Sequence, residues 1–107
     1  MTQAVPTHQS NCKLSILQVG PDRHTWEPKV KEVAARISLD RQFTQIGTVY
    51  YRLLLPLSLL EGQRVRTADR VEILEAPDFP QLQGIYTINL SMIDTEALNL
   101  ELVVTKI

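Results

Sequence analysis

The side chains that perform most enzyme chemistry are few in this chain and poorly spaced. His8 and His24 lie in polar, turn-forming sequence, outside any H-x-H, H-x-x-x-H or H-E-x-x-H pattern that would aim two imidazoles at one metal ion. Cys12 is the single cysteine, which excludes an internal disulfide and a cysteine-rich zinc site. It also lacks a neighbouring base to hold its thiol as a nucleophile. Gly20, Gly47, Gly62 and Gly84 stand singly at turns, so there is no P-loop and no G-x-G-x-x-G cradle, and a G-x-S-x-G elbow is absent too. Each Asp and Glu has the plainer role of a strand-face or turn residue. The expectation is a protein that is not an enzyme, with no catalytic residue, no metal site and no cofactor.

Cationic side chains are the other source of chemistry. Arg64, Arg66 and Arg70 flank the turn Thr67-Ala68-Asp69, while Arg36, Arg41 and Arg52 come from the preceding segments. A barrel that binds single-stranded nucleic acid interleaves such residues with exposed aromatics on which bases stack. Tyr50-Tyr51-Arg52 supplies a fragment of that pattern, and solvated strand faces account for most of the rest. The net charge of −1 hides a polarity. Residues 1–70 hold ten of the eleven Lys and Arg with six acids, a balance of +4; residues 71–107 hold Lys106 with six acids, a balance of −5. Opposed ends of this kind suit head-to-tail stacking or contact with DNA through one face; ordinary surface scatter is the plainer reading.

The elements that must position these groups read as strands. With 107 residues and 44% hydrophobic content, the chain suits one domain with one modest core. Leu, Ile and Val must fill it, because the aromatics are only Trp26, Phe43, Tyr50, Tyr51, Phe79 and Tyr86. The central stretch from Thr48 to Glu75 organises the rest. Val49, Tyr51, Leu53 and Leu55 alternate with Tyr50, Arg52 and Leu54 in a strand that Pro56 ends. Glu61-Gly62 turns the chain, and Val71 and Ile73 point inward on the next strand. Before this stretch, Lys13–Val19 is a short strand, and Gly20-Pro21-Asp22 opens a polar loop to Pro28. Trp26 lies in that loop as a lid over the core edge or, alternatively, a binding hot spot.

Val30–Leu39 fits a helix face through Val30, Val33, Ala34 and Ile37, and equally a strand through Val33, Ala35, Ile37 and Leu39. Turn chemistry at Ser38-Leu39-Asp40 favours a strand from Glu32 onward. Asp40–Gly47 is a long loop whose Phe43 and Ile46 either fold back on the domain or reach into a partner or channel. Toward the end of the chain, Tyr86, Ile88, Leu90 and Met92 alternate inward, Asp94-Thr95-Glu96 turns, and Leu98, Leu100, Leu102 and Val104 follow. Residues 1–11 read as a flexible arm, either disordered or docked on a neighbouring subunit. The fold class expected is mainly β: one domain over 1–107, a small antiparallel barrel or sandwich of about six strands over 12–107, with at most one short helix. The opening MTQAVPTHQSNCK lacks the basic start and apolar core of a signal peptide, and the apolar run Leu53–Leu60 is broken by Pro56 and Ser58 and too short to span a bilayer. A soluble protein made and used inside a cell is expected.

From Trp26 onward the order of features resembles the small head-closure proteins of long-tailed phages, also called head-completion, stopper or head-to-tail joining proteins. A loop aromatic leads to Ala35-Arg36-Ile37-Ser38, and a loop at Asp40–Gly47 follows. Next come the aromatic strand Tyr50–Pro56, the step Asp69-Arg70-Val71-Glu72-Ile73, the run Gly84-Ile85-Tyr86-Thr87-Ile88, and a leucine-alternating strand. Each motif is structural, and their order and spacing carry the resemblance; residues 1–25 have no counterpart in it.

The resemblance implies a barrel-like subunit of a homo-oligomeric ring in the virion neck, assembled in the host cytoplasm. The ring would dock under a portal–adaptor complex, close the DNA exit channel and offer a platform to tail or tail-terminator proteins. Genomic double-stranded DNA in the channel would be a partner without sequence specificity, and no membrane or cofactor is implied. Asp40–Gly47 matches the family's channel-facing loop in position, so Arg41, Gln42, Phe43 and Gln45 are the gate candidates. Trp26, Arg64, Arg66 and Arg70 are candidates for contacts between subunits or with partners. Two alternatives stand beside this: a small OB-like barrel binding single-stranded nucleic acid, and a tail terminator or other connector ring protein.

Overall fold

Strands form where apolar residues alternate, and six of them close on themselves. The computed structural model describes residues 10–40 and 47–107. β1 (Cys12–Val19), β2 (Trp26–Leu39), β3 (Tyr51–Pro56), β4 (Arg70–Glu75), β5 (Gly84–Asp94) and β6 (Asn99–Lys106) form a closed barrel in the order β1-β2-β3-β6-β5-β4. Every neighbouring pair is antiparallel, and β1 and β4 complete the circle. Closure gives every strand a neighbour on both sides over part of its length and so shortens the open edges through which isolated sheets associate; the first half of β2 and the second half of β5 keep one unpaired side. Helical structure among the described residues is limited to 3-10 turns at Leu57–Leu60 and Pro80–Leu82.

Inward side chains of all six strands build the core: Leu14, Ile16, Ile37, Leu53, Leu55, Val71, Ile73, Tyr86, Ile88, Leu100, Leu102 and Val104 are buried. Among the described residues Tyr86 is the one aromatic fully inside, and its hydroxyl donates to the Leu82 carbonyl at 2.6 Å. Tyr51 meets it edge-on, with ring centroids 6.0 Å apart. This satisfies a buried phenol that would otherwise cost the fold its desolvation.

Several expectations are corrected. β2 begins at Trp26 and not at Glu32, so Trp26 belongs to a strand, paired with Val19. Pro28 is tolerated there because that half of β2 pairs with β1 alone, leaving one side of the strand without ladder demands. The helix-like spacing of Val30 and Val33 is the mark of a β-bulge. Leu14 pairs with Val33 and Ile16 with Val30, so Lys31 and Glu32 together oppose Ser15. Glu32 takes a positive φ of 48°, and its N–H donates to Ser15 Oγ at 3.0 Å. A second irregularity at Asn89 breaks the alternation of β5. Leu90 is therefore half-buried and Met92 exposed, where both were expected inside. Val49 precedes β3 and is exposed, and Leu98 is exposed in the β5–β6 turn at φ 56°. Of the arm expected over residues 1–11, Asn11 is docked: its side chain exchanges hydrogen bonds with the Ile37 backbone at 2.7 and 2.9 Å. Residues 1–9 lie outside the described residues.

Candidate functional site

Antiparallel pairing gives the barrel two rims. One carries the connections 20–25, 57–69 and 95–98; the other carries 40–50, 76–83 and the start of β1. Trp26, Arg64, Arg66 and Arg70 all belong to the first rim, or lie on the strap that crosses it. Arg70 stacks over Trp26 with its guanidinium carbon 4.2 Å from a ring centroid. That face of the indole is thus covered within the chain, as a cation–π pair.

The strap 61–69 is fixed by groups that no sequence motif marks. Lys29 reaches from β2 and donates from Nζ to Asp69 Oδ2 at 2.9 Å and to the Arg64 carbonyl at 2.6 Å. Asp69 Oδ2 also accepts the Arg66 N–H at 2.9 Å, and Asp69 N–H returns to the Arg66 carbonyl. Both side chains are withdrawn from water, at 5% and 7% exposure. From the far side, Ser91 Oγ on β5 donates to the Val65 carbonyl at 2.9 Å. The strap is therefore tied to β2 and β5 at once. Arg64 and Arg66 project from it into solvent. The turn run Thr67-Ala68-Asp69 was a signal for Asp69; nothing near Lys29 in the sequence pointed to a partner forty residues away.

At the opposite rim the long connection leaves and returns through a pinned neck. Asp40 N–H donates to the Tyr50 carbonyl at 2.9 Å, and Thr105 Oγ1 to the Val49 carbonyl at 2.9 Å. The buried Asp40 carboxylate meets Arg52 at 3.1 Å, and Arg52 also meets Glu101 at 2.9 Å. Arg41, Gln42, Phe43 and Gln45 lie outside the described residues. Beside the neck, Leu39 and Phe79 are exposed over a shallow apolar hollow lined by Ile37, Tyr51 and Leu82. Cys12 is also at this end, buried, with Sγ 3.4 Å from the Ala35 carbonyl; burial pushes its thiol up to about 11. A thiol so protonated is a poor nucleophile.

The fold thus gathers Trp26, Arg64, Arg66 and Arg70 at one end, and the barrel's length, roughly 20 Å for a six-residue strand, separates that end from the rim of Asp40 and Tyr50. It does not form a stacking strip from Tyr50-Tyr51-Arg52: Tyr51 packs on Tyr86, and Arg52 is committed to two carboxylates. Among the described residues no group of three or more His, Cys, Asp or Glu is arranged to hold a metal ion, and no helix is long and apolar enough to cross a membrane. No family model matches the chain, and no curated protein or solved structure matches it.

Proposed function

We propose that this chain is a ring-forming virion neck protein of the head-closure kind, docking under a portal–adaptor complex, closing the DNA exit channel and supporting tail attachment. The observation that supports this reading is a closed barrel whose two rims differ chemically. With the circle of strands closed, rims and side chains are the main surfaces left for contact between copies, and unlike rims favour a contact that repeats in one direction, as a ring requires. One rim offers a long connection on a pinned neck, the position at which the resemblance expects the channel-facing residues Arg41, Gln42, Phe43 and Gln45. Closure would be steric and electrostatic, with the connections of all copies meeting in the bore around double-stranded DNA. A tail terminator or other connector ring differs from this only in where it docks.

The exposed Arg64 and Arg66 beside Trp26–Arg70 favour a second reading, sequence-independent binding of single-stranded nucleic acid. Mass photometry and negative-stain microscopy of the purified chain, alone and with a portal–adaptor complex from the same phage, separate the two. The expected result is a stacked ring on the complex. Failure to bind it, together with a salt-dependent shift of a labelled oligonucleotide, overturns the neck reading.

A further inference from the structure

Two exposed surfaces at opposite rims complement each other. At the rim carrying Arg70, a groove of about 410 Å³ opens between the strap and the β5–β6 hairpin, lined by Leu60, Val65, Ile93 and Leu100 and flanked by Arg64 and Arg66. Ile93 is 62% exposed in it. Among the described residues, neither guanidinium is held in an ion pair such as Lys29–Asp69 or Arg52–Glu101. The hairpin's Asp94 spends Oδ1 on the Glu96 and Ala97 N–H groups. At the other rim, the β4–β5 connection presents Phe79, 51% exposed, with Glu75 and Asp78 also exposed on the same short segment. Its backbone is held on both sides: Phe79 N–H donates to the Ala76 carbonyl, and the Phe79 carbonyl accepts the Leu82 N–H, each at 2.9 Å. An aromatic presented on a fixed turn loses little freedom when it binds.

We propose that the Phe79 knob of one copy, with Glu75 and Asp78, seats in the Ile93 groove of the next copy between Arg64 and Arg66. The inference rests on the ring reading and names the surfaces that make the ring. An aromatic anchor in an apolar groove with charged groups at its edge is the usual anatomy of a specific interface. Opposite charge on knob and groove selects a second copy as the occupant, with a fixed polarity. Because knob and groove are different surfaces on opposite rims, the contact is heterologous, and it closes into a ring when its rotation divides a full turn.

The test is the concentration at which the full chain assembles, alone and on the portal–adaptor complex. Arg64→Glu/Arg66→Glu and, separately, Glu75→Arg/Asp78→Arg each raise the assembly midpoint on the order of tenfold or more, and mixing or combining the two sets restores it. Phe79→Ala raises it about thirtyfold. All five side chains are exposed, so circular dichroism and melting temperature stay unchanged and separate lost contact from lost fold. Assembly with an unchanged midpoint in these variants overturns the knob-and-groove contact and leaves the ring reading standing. No assembly of the wild-type chain in either setting overturns both. If Arg64→Glu/Arg66→Glu loses oligonucleotide binding while assembling normally, the groove belongs to nucleic acid and the contact is refuted.

Discussion

Replacing Lys29 by methionine removes the ammonium that ties the strap to β2 while keeping an unbranched chain of similar length. Asp69 then keeps one of its two hydrogen bonds at Oδ2, from the Arg66 N–H, and its side chain, 7% exposed, loses the ammonium that faced it. Breaking a buried pair from one side costs about 3–5 kcal/mol, against about 0–1 kcal/mol for an exposed pair. Taking the middle of the buried range, Lys29→Met loses about 4 kcal/mol, a drop in melting temperature on the order of 20 °C for a domain of this size. The double variant Lys29→Met/Asp69→Asn leaves no unpaired charge, and its amide oxygen still accepts the Arg66 N–H. It should lose only about 1–2 kcal/mol, with a coupling energy of about 2 kcal/mol or more. Urea unfolding followed by circular dichroism gives the four corners of the cycle, provided the denaturant slope stays constant. A single-variant loss below about 1 kcal/mol, or additive losses, would show a solvated pair and refute the argument from burial.

Alkaline pH should erode the fold in two stages. Cys12 is raised by burial from 9.0 to about 11, and Tyr86 from 10.0 to about 12, chiefly by burial. In each case the protonated form is favoured in the fold, so stability is complete below the ordinary value and falls as pH climbs toward the raised one. A flat stability profile from pH 9 to 12 would contradict this, and Cys12→Ser should remove the lower limb. Tyr86→Phe deletes the bond to the Leu82 carbonyl and should cost about 1 kcal/mol by denaturant titration, since the edge-on contact with Tyr51 survives. Gly84→Ala should cost about 1–3 kcal/mol, because Gly84 holds φ at 141°. A Cβ there also meets Lys106 Cε at 2.8 Å, but that chain end can swing away. Recovery of stability on adding Lys106→Ala would therefore count against a backbone origin.

Alternation made β1, β3, β4 and β6 readable, because each presents apolar residues to the core in an unbroken or nearly unbroken rhythm. The two long strands were harder for one physical reason. Each inserts an irregular residue, at Glu32 in β2 and near Asn89 in β5, and every side chain beyond it changes face. Val30 and Val33 share a face only across such a bulge, which is also the spacing of a helix. Gly20, Pro21 and Pro28 give the sequence around Trp26 the look of a loop, yet the turn ends before it and Pro28 falls where no ladder bond is required. At the candidate site, Arg64, Arg66 and Arg70 were visible as a cluster in sequence. Lys29 and Asp40 were not visible as buried ions: Asp69 comes to Lys29 only when β1 joins β2 to β4, and Arg52 comes to Asp40 through the pairing of β2 with β3.

Strand order also governs how this chain reaches its fold. β1 meets β4, with Lys13 opposite Glu75, and β3 meets β6, with Tyr51 opposite Val104. Such distant pairings must close large loops before they are rewarded, which sets folding in the millisecond-to-second range typical of all-β domains. β6 is hydrogen-bonded on both sides, to β3 and β5, so it is the stave that completes the cylinder. During synthesis the edges of β3 and β5 that face β6 stay unpaired until Asn99–Lys106 emerges, and a chain halted before Asn99 offers both edges to other unfinished chains.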